Sequence, residues 1–305
     1  MCLFQANARN QIVKFVQTQF KSLYADVLNL YSINMTISIL GCGWLGMPLA
    51  ERLIEMGFAV KGSTTSTEKL AGLAAKGIEA FLLKLDPELE GEGIEKFLDA
   101  DLLFINVPPG LRMNSPDYYV SQLASLMNAV GESPIKNIIF ISTTSVYPNI
   151  NREVSEKDAD KEHPLFKAEQ FVLEQFGNER VTILRCGGLM GYDRIPAKYF
   201  AGKKGLTTGD IGVNYVHRDD VIGTVEAIIG DGVYGEILNV VAPEHPTRKA
   251  VYEKACLEHG YEMPEFVTPK EPHAFKIISP QRLLDVTGYE FKYANPLDFY
   301  YERRG

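Results

Sequence analysis

Three glycines at residues 41, 43 and 46 have the spacing of a loop that binds phosphate groups. Their segment, GCGWLG, follows an apolar run at residues 36–40 and opens an amphipathic run at residues 44–56. Glycines placed in this way between a strand and a helix permit a tight turn and a close backbone approach to a pyrophosphate. The phosphates would lie at the positive end of the helix. The residues predicted to form this dinucleotide site are Gly41, Gly43, Trp44, Leu45 and Gly46.

The end of the second predicted strand indicates which dinucleotide binds. The glycine motif favours a nicotinamide cofactor; the alternatives are FAD and a glycine-rich turn that binds no ligand. If the cofactor were NAD, a carboxylate would be needed at the end of this strand to bind its ribose 2′-hydroxyl. Residues 61–67 (KGSTTST) contain none. Hydroxyl groups with Lys61 or Lys69 in reach would instead accept a 2′-phosphate, which favours NADP over NAD. Alternatively, this cluster caps the next helix, with Thr67 at the N-cap. The hydroxyl residues are Ser63, Thr64 and Thr65.

These residues require a regular alternation of strands and helices to position them. Strands are predicted at residues 36–40, 58–62, 78–85, 101–107, 137–142 and 181–185, and helices at residues 44–56, 68–76, 118–130 and 165–175. Apolar strands between helices are typical of a parallel sheet covered on both faces. We therefore predict an α/β fold, a Rossmann-type doubly wound parallel sheet at residues 35–190 with a smaller C-terminal α/β substrate region at residues 191–305. Residues 1–34 are an extension, either helical or a start-site artefact.

Composition narrows the classes of ligand. The 305 residues carry a formal net charge of −8, which argues against binding to nucleic acid or to a membrane surface. No segment is apolar enough to span a bilayer, and four scattered cysteines indicate neither a zinc site nor a disulfide framework. We expect a cytoplasmic protein with a small-molecule substrate and no metal, and a homodimer is compatible with the sequence.

Further motifs carry a resemblance to a known family. They are residues 141–148 (ISTTSVYP), 184–191 (LRCGGLMG) and 214–221 (NYVHRDDV). With the glycine motif, they make residues 36–300 resemble the extended short-chain dehydrogenases/reductases, in particular an atypical epimerase/dehydratase-like subgroup. The resemblance implies an oxidoreductase or epimerase that acts on a small polar substrate, nucleotide-linked substrates included, between the sheet and the C-terminal region.

The resemblance also implies catalytic residues. The family has a Ser or Thr four residues before the Tyr of its S-x-x-V-Y stretch, which places Thr143 before Tyr147. The Thr143 hydroxyl would polarise a substrate oxygen while Ser142 approaches the nicotinamide; alternatively, Thr143 satisfies its own turn. Thr144 and Ser145 replace the acid pair of the dehydratases, so dehydration is not expected.

Two other strand ends are expected to contact the cofactor. Asp86, after the third strand, resembles the residue that reaches the adenine, with a helix N-cap as the alternative role. Residues 106–109 end the fourth predicted strand, where two prolines remove backbone donors and leave carbonyls and one amide side chain for the cofactor. The residues in this second segment are Asn106, Val107, Pro108 and Pro109.

The family's Tyr-x-x-x-Lys acid/base pair is missing, because Phe166 and Gln170 occupy the best matching positions. Three explanations remain open. Another group, such as Tyr147, His163 or Lys167, substitutes for the tyrosine; the reaction needs no strong acid; or the protein binds the cofactor without catalysis, as a sensor or regulator.

Two conspicuous clusters are interpreted as structural. The charged residues 217–220 (HRDD) fit the start of a helix better than a metal site, because adjacent aspartates point to different faces. The aromatic residues between 289 and 301 are expected to cover a sheet edge, since the chain lacks the basic setting of a base-stacking platform.

Overall fold

The computed structural model describes residues 35–110 and 115–302, so the predicted extension at residues 1–34 lies outside the described chain. The strands of the main sheet are β1 (Thr36–Leu40), β2 (Ala59–Thr64), β3 (Glu79–Leu85), β4 (Leu89–Gly91), β5 (Leu102–Ile105), β6 (Asn137–Thr143), β8 (Val181–Cys186) and β11 (Ile237–Val240). Two short parallel pairs are formed by β7 (Arg152–Val154) with β12 (Lys276–Ile278) and by β9 (Gly188–Met190) with β10 (Tyr215–His217).

Helices connect these strands as predicted. They are α1 (Gly46–Glu55), α2 (Thr67–Ala74), α3 (Ile94–Leu98), α4 (Pro116–Gly131), α5 (Pro164–Phe176), α6 (Ala197–Phe200), α7 (Arg218–Asp231), α8 (Arg248–His259) and α9 (Gln281–Thr287). In the parts of the chain that the structure describes, no helix has the length and apolar character of a membrane span.

The main sheet has the order β11-β8-β6-β5-β1-β2-β3-β4, and its pairings are parallel except for the edge strand β4. The chain winds outward from β1 in both directions, through β2 and β3 on one side and through β5, β6 and β8 on the other. This is the predicted doubly wound α/β fold, with the reversal of strand order beside β1. Ligands of such sheets bind at the carboxyl ends of the strands at this reversal.

Burial on both faces of the sheet explains the continuous apolar strands. In β5, Leu103 and Ile105 pack with α4 and α5 on one face, while Leu102 and Phe104 pack with α1 and α7 on the other. Each of these four side chains is fully buried. Strand β11 belongs to residues 191–305 but pairs with β8 in the main sheet, so the C-terminal half also completes this sheet.

The charged residues 217–220 hold the C-terminal segment to the sheet. His217 is the N-cap of α7, and its Nδ1 accepts a hydrogen bond from the Asp219 backbone. The fully buried Asp220 carboxylate accepts hydrogen bonds from the Tyr289 hydroxyl (2.9 Å) and from the backbone N–H groups of Lys292 (2.6 Å) and Tyr293 (3.2 Å). The predicted structural role of this cluster is therefore confirmed.

Replacing Asp220 with Ala will destabilise the protein, because three partly buried donors lose their buried acceptor. We expect the free energy of unfolding to fall by about 3 kcal/mol, since each buried polar group left unpaired costs about 1–3 kcal/mol. Denaturant unfolding measures this change. Asp210→Ala, at an exposed position, is the control and should stay within about 0.5 kcal/mol of the parent; equal stability of the two variants would contradict the assigned role.

Candidate functional site

A cavity of about 630 Å³ opens at the carboxyl ends of β1, β2, β3, β5 and β6. Its lining includes the predicted residues Gly41, Gly43, Trp44, Leu45, Ser63, Thr64, Thr65, Asp86, Asn106, Val107, Pro108, Pro109, Ser142 and Thr143. Two predicted residues, Gly46 and Tyr147, are not part of the lining. The structure thus brings residues from five strand ends to one crevice.

Each glycine of the loop has a different physical reason to lack a side chain. Gly41 has a φ of +103°, and a Cβ there would lie 2.8 Å from the carbonyl oxygen of Asn106. At Gly46 a Cβ would lie 2.2 Å from the carbonyl oxygen of Gly41, because α1 begins directly against the turn. A Cβ at Gly43 would meet nothing within 4 Å. Gly43 therefore faces open space in the cavity, whereas Gly46 serves packing.

Hydrogen bonds from neighbouring strands fix the loop. The Gly41 N–H donates to Ser63 Oγ at 3.0 Å, and the Cys42 N–H donates to the Ser63 carbonyl at 2.8 Å. On the other side, Asn106 Nδ2 donates to the Gly41 carbonyl at 3.1 Å. The leading N–H groups of α1 have no partner inside the helix. The loop consequently holds a positive helix end at the cavity.

Some polar side chains at the end of β2 form hydrogen bonds within the protein, and another is exposed at the cavity. Ser63 is buried beneath the loop, Thr64 Oγ1 accepts from the Ser66 N–H at 3.2 Å, and Thr65 is exposed. Ser66 occupies the N-cap of α2, one residue before the position predicted for the cap.

Only one of the two lysines proposed for a 2′-phosphate reaches the cavity. Lys61 is buried and donates from Nζ to the carbonyl oxygens of Lys96 (2.6 Å) and Asp99 (2.5 Å) at the end of α3. Lys69 is exposed and lines the cavity. The expectation that Lys61 can approach the ligand does not fit its two carbonyl partners.

Next to the end of β2, Asp86 follows β3 and forms an ion pair with Lys84. This pairing satisfies the Asp86 carboxylate, while Lys69 and Arg194 also line the cavity. The cavity therefore carries a surplus of positive charge.

Two adjacent hydroxyls mark the end of β6. Thr143 Oγ1 accepts a hydrogen bond from the Ser145 N–H at 3.2 Å, which leaves its own proton free to donate into the cavity. Ser142 Oγ donates to Glu169 Oε1 at 2.5 Å, which leaves its oxygen lone pairs as acceptors. The strand end thus offers one donor and one acceptor side by side.

A buried ion pair lies behind Ser142. Glu169 and Arg185 are both fully buried and approach to 2.6 Å. Arg185 also donates to the Tyr147 hydroxyl at 2.9 Å, and that hydroxyl donates to Asn239 Oδ1 at 2.5 Å. Burial raises the pKa of Tyr147 to about 12. Its placement, outside the cavity lining and committed to internal partners, gives no support to the predicted catalytic role.

Helix α5 presents no proton-exchanging group to the cavity among the described residues. Leu165 is its lining residue, and the neighbouring Phe166 ring lies 5.8 Å from the Arg185 guanidinium carbon. His163 caps the helix by accepting from the Leu165 N–H, and burial lowers its pKa. Lys167 is paired with Glu162 at 2.7 Å. The groups considered as substitutes for the missing tyrosine therefore have other partners.

Several lining residues escaped sequence reasoning. They are Leu40, Cys42, Leu83, Lys84, Leu85, Tyr119, Phe140, Ile141, Leu165, Leu189 and Arg194. Those at strand ends follow from the same rule that identified Asp86 and Asn106. Arg194 had one weak signal, its position just beyond the 184–191 motif. Leu165 directly precedes Phe166, which the resemblance places at the position of the acid/base tyrosine.

The last and the middle glycine of the loop, Gly46 and Gly43, should respond differently to an added methyl group. Gly46→Ala is expected to lower the free energy of unfolding by about 1–3 kcal/mol, because its Cβ would overlap the Gly41 carbonyl. Gly43→Ala should leave stability within about 0.5 kcal/mol. Thermal and denaturant unfolding of both variants measure this. Equal destabilisation would contradict the open space at Gly43.

Comparisons with known proteins agree with the fold. No family model matches the sequence. Protein YeeZ of Escherichia coli K12 is 33% identical over 269 residues, which cover 86% of this chain and 97% of YeeZ.

Solved structures share the fold at lower identity. A UDP-glucose 4-epimerase from Thermotoga maritima, solved with UDP-glucose, superposes with a TM-score of 0.67 at 18% identity over 85% of this chain and 94% of its own. A short-chain dehydrogenase/reductase superfamily protein from Agrobacterium tumefaciens, solved with NAD, gives a TM-score of 0.67 at 14% identity over 85% and 93%. The predicted resemblance is confirmed: the chain belongs to the family of protein YeeZ and has the fold of the epimerase and short-chain dehydrogenase/reductase structures.

Proposed function

We propose that this protein binds a nicotinamide dinucleotide in the cavity and transfers hydride to or from a small polar substrate. The observation that carries the proposal is the open space at Gly43 beside the positive end of α1, in a crevice that also contains Thr143. The neighbour from Agrobacterium tumefaciens, which has the same fold, was solved with NAD. When bound, the nicotinamide ring would donate or accept the hydride.

The cavity extends from the phosphate loop to strand ends on both sides of β1, and this supports a dinucleotide rather than a smaller ligand. Asp86 and Thr65 lie beyond β3 and β2, where the adenosine half would bind. Ser142 and Thr143 end β6, on the other side of β1. Phosphates at Gly43 would join the two halves.

The charge at the end of β2 supports the 2′-phosphorylated cofactor. Residues 61–67 contain no carboxylate, and Lys69 offers an exposed ammonium at the cavity. A carboxylate at this place would repel a 2′-phosphate, whereas an ammonium and the Thr65 hydroxyl attract it. NADP is therefore the preferred cofactor in this proposal, with NAD as the alternative.

The chemistry proposed for the chain's own residues is polarisation of a substrate oxygen. The Thr143 hydroxyl, held by the Ser145 N–H, donates toward an oxygen on the reacting carbon and stabilises the negative charge that develops there. Leu165 and Leu189 also line the cavity, and their apolar side chains lower the dielectric constant inside it. A small polar substrate would enter from the side of Leu189 and Arg194, which belong to the segment leading to the C-terminal half.

A second candidate function follows from the apolar residue on α5. Leu165 faces the cavity where an acid/base side chain would be needed, and the Tyr147 hydroxyl is committed to Arg185 and Asn239. These contacts favour a protein that binds the dinucleotide and senses it without turnover. Tight binding of NADPH with no oxidation of it by UDP-sugars, aldehydes or ketones would support this sensor over the enzyme.

Cofactor preference tests the role of Lys69. In Lys69→Ala we expect NADPH to bind about tenfold more weakly, a loss of about 1.4 kcal/mol, while NADH binding stays unchanged. The fluorescence of the reduced nicotinamide measures both affinities. Lys76→Ala removes an equal charge just beyond the same helix and serves as the control. A tenfold preference of the parent protein for NADH would overturn the choice of NADP.

Turnover tests the role of Thr143. In Thr143→Ala we expect kcat to fall by about 100-fold, in the range found for loss of one donor to a developing oxyanion. Thr143→Ser keeps the hydroxyl and should remain within about tenfold of the parent. NADPH oxidation with a panel of UDP-sugars, aldehydes and ketones supplies the rates. Equal rates in the parent and Thr143→Ala would remove the hydroxyl from the mechanism.

A further inference from the structure

Arg194 lies over the phosphate loop although it is distant from the loop in sequence. Its guanidinium carbon is 4.0 Å from the centre of the Trp44 ring, and the side chain lines the cavity. Trp44 directly follows Gly43, the position where a side chain would meet nothing within 4 Å. The cation is therefore held beside the open part of the loop.

The Arg194 guanidinium has no protein acceptor within residues 35–110 and 115–302. By contrast, Arg152 and Arg185 each donate to carboxylates. The neighbouring Asp193 carboxylate does not neutralise Arg194 but accepts from Trp44 Nε1 at 2.6 Å. A guanidinium has five N–H donors in a planar fork that matches phosphate oxygens. Arg194 is half-buried, and its guanidinium stacks on the Trp44 indole. In this position the guanidinium can bind an anion that enters the cavity.

The segment that carries Arg194 is held firmly against the loop. Two backbone hydrogen bonds join Gly191 and Arg194, at 3.0 and 3.3 Å. Between them Tyr192 adopts a φ of 55°, a left-handed conformation that is uncommon for a bulky residue. The Tyr192 hydroxyl donates to Asp219 at 2.8 Å, and the Arg218 guanidinium carbon lies 3.6 Å from the Tyr192 ring centre.

Arg218 ties this segment to the loop a second time. Its NH1 group donates to the Trp44 carbonyl, at 3.4 Å, while its guanidinium stacks on Tyr192. Arg218 is thus used within the protein, and Arg194 is left for a ligand. A strained residue that is fixed by several contacts next to an unpaired cation is typical of a binding site.

We propose that Arg194 binds a phosphate group of the ligand from the side opposite the phosphate loop, so that the phosphate is held between the loop and the C-terminal half of the chain. The inference rests on the proposed function and adds to it a second, side-chain component of the anion site. The ligand chemistry is a diphosphate ester. It has two sources, the diphosphate of the cofactor and that of a nucleotide-linked substrate.

The single tryptophan of the chain, Trp44, makes the site directly observable. ADP-ribose contains the adenosine diphosphate of the cofactor without its nicotinamide, so its binding can be followed by Trp44 emission. UDP, added to protein saturated with NADPH, represents the nucleotide-linked substrate and is followed by calorimetry. The variants are Arg194→Met, which keeps an apolar contact with the indole, and Arg194→Lys, which keeps the charge but loses the fork. Lys198→Met removes a charge from an exposed position in the same region and is the control.

If Arg194 binds the cofactor diphosphate, ADP-ribose binding will weaken at least tenfold in Arg194→Met, and less in Arg194→Lys. Its dependence on salt will also decrease, because a charge that attracts the ligand is gone. If Arg194 binds the substrate diphosphate, ADP-ribose binding will stay unchanged and UDP binding to the loaded protein will weaken at least tenfold. Both results support the site and distinguish its source.

Unchanged affinity for both probes in Arg194→Met, with the parent protein binding them, would overturn the Arg194 site and leave the proposed function intact. A parent protein that bound neither NADPH, NADH nor ADP-ribose would overturn both proposals. If Lys198→Met lost as much affinity as Arg194→Met, the loss would reflect the net charge of the region. That result would contradict a specific contact between Arg194 and the phosphate. Should Arg194→Met fail to fold, Arg194→Lys supplies the same comparison with its charge retained.

Discussion

The approach of Gly46 to the carbonyl oxygen of Gly41 is the constraint on which the cavity depends. Without a Cβ between them, α1 begins directly against the turn after β1 and places its positive end in the crevice beside Gly43. Ser63 and Asn106, from the two strands that flank β1, hold the turn by hydrogen bonds. The reversal of strand order beside β1 opens the crevice itself. Local backbone geometry and sheet topology therefore produce one site together.

The sequence was sufficient to predict the elements whose physical signal is local. The bounds of β1 agree with its apolar run, and Asp86 and Asn106 lie at the cavity because carboxyl ends of parallel strands meet at one edge. The edge strand β4 and helix α3 were missed, since each is short and lies in a stretch rich in Glu and Gly. The position of Leu165 at the cavity depends on how α5 packs, which no spacing in the sequence shows.

The net charge follows from the sequence, but the positions of the individual charged groups are known only from the structure. The net charge of −8 excludes broad anionic partners, yet it does not reveal the cations in the cavity. Glu169 and Arg185 neutralise each other in the interior, and Lys84 is paired with Asp86. Lys69 and Arg194 are the lining cations that form no salt bridge in the described chain, and they lie on separate elements. A ligand with phosphate groups at more than one position fits this distribution better than a single carboxylate does.

The end of β6 suggests how the proposed hydride transfer would proceed when α5 brings no tyrosine to the cavity and the hydroxyl of the lining residue Tyr119 donates to the Val107 carbonyl. Glu169 accepts the hydrogen bond that the Ser142 hydroxyl donates, so Ser142 presents lone pairs to the cavity. Thr143 presents a proton, because its oxygen already accepts from the Ser145 N–H. Adjacent donor and acceptor groups can hold the substrate oxygen both as a carbonyl and as an alcohol. Such a pair stabilises developing charge without ionising. The proton that distinguishes the two oxidation levels must then come from water or from the substrate, which makes the chemistry of the substrate part of the mechanism.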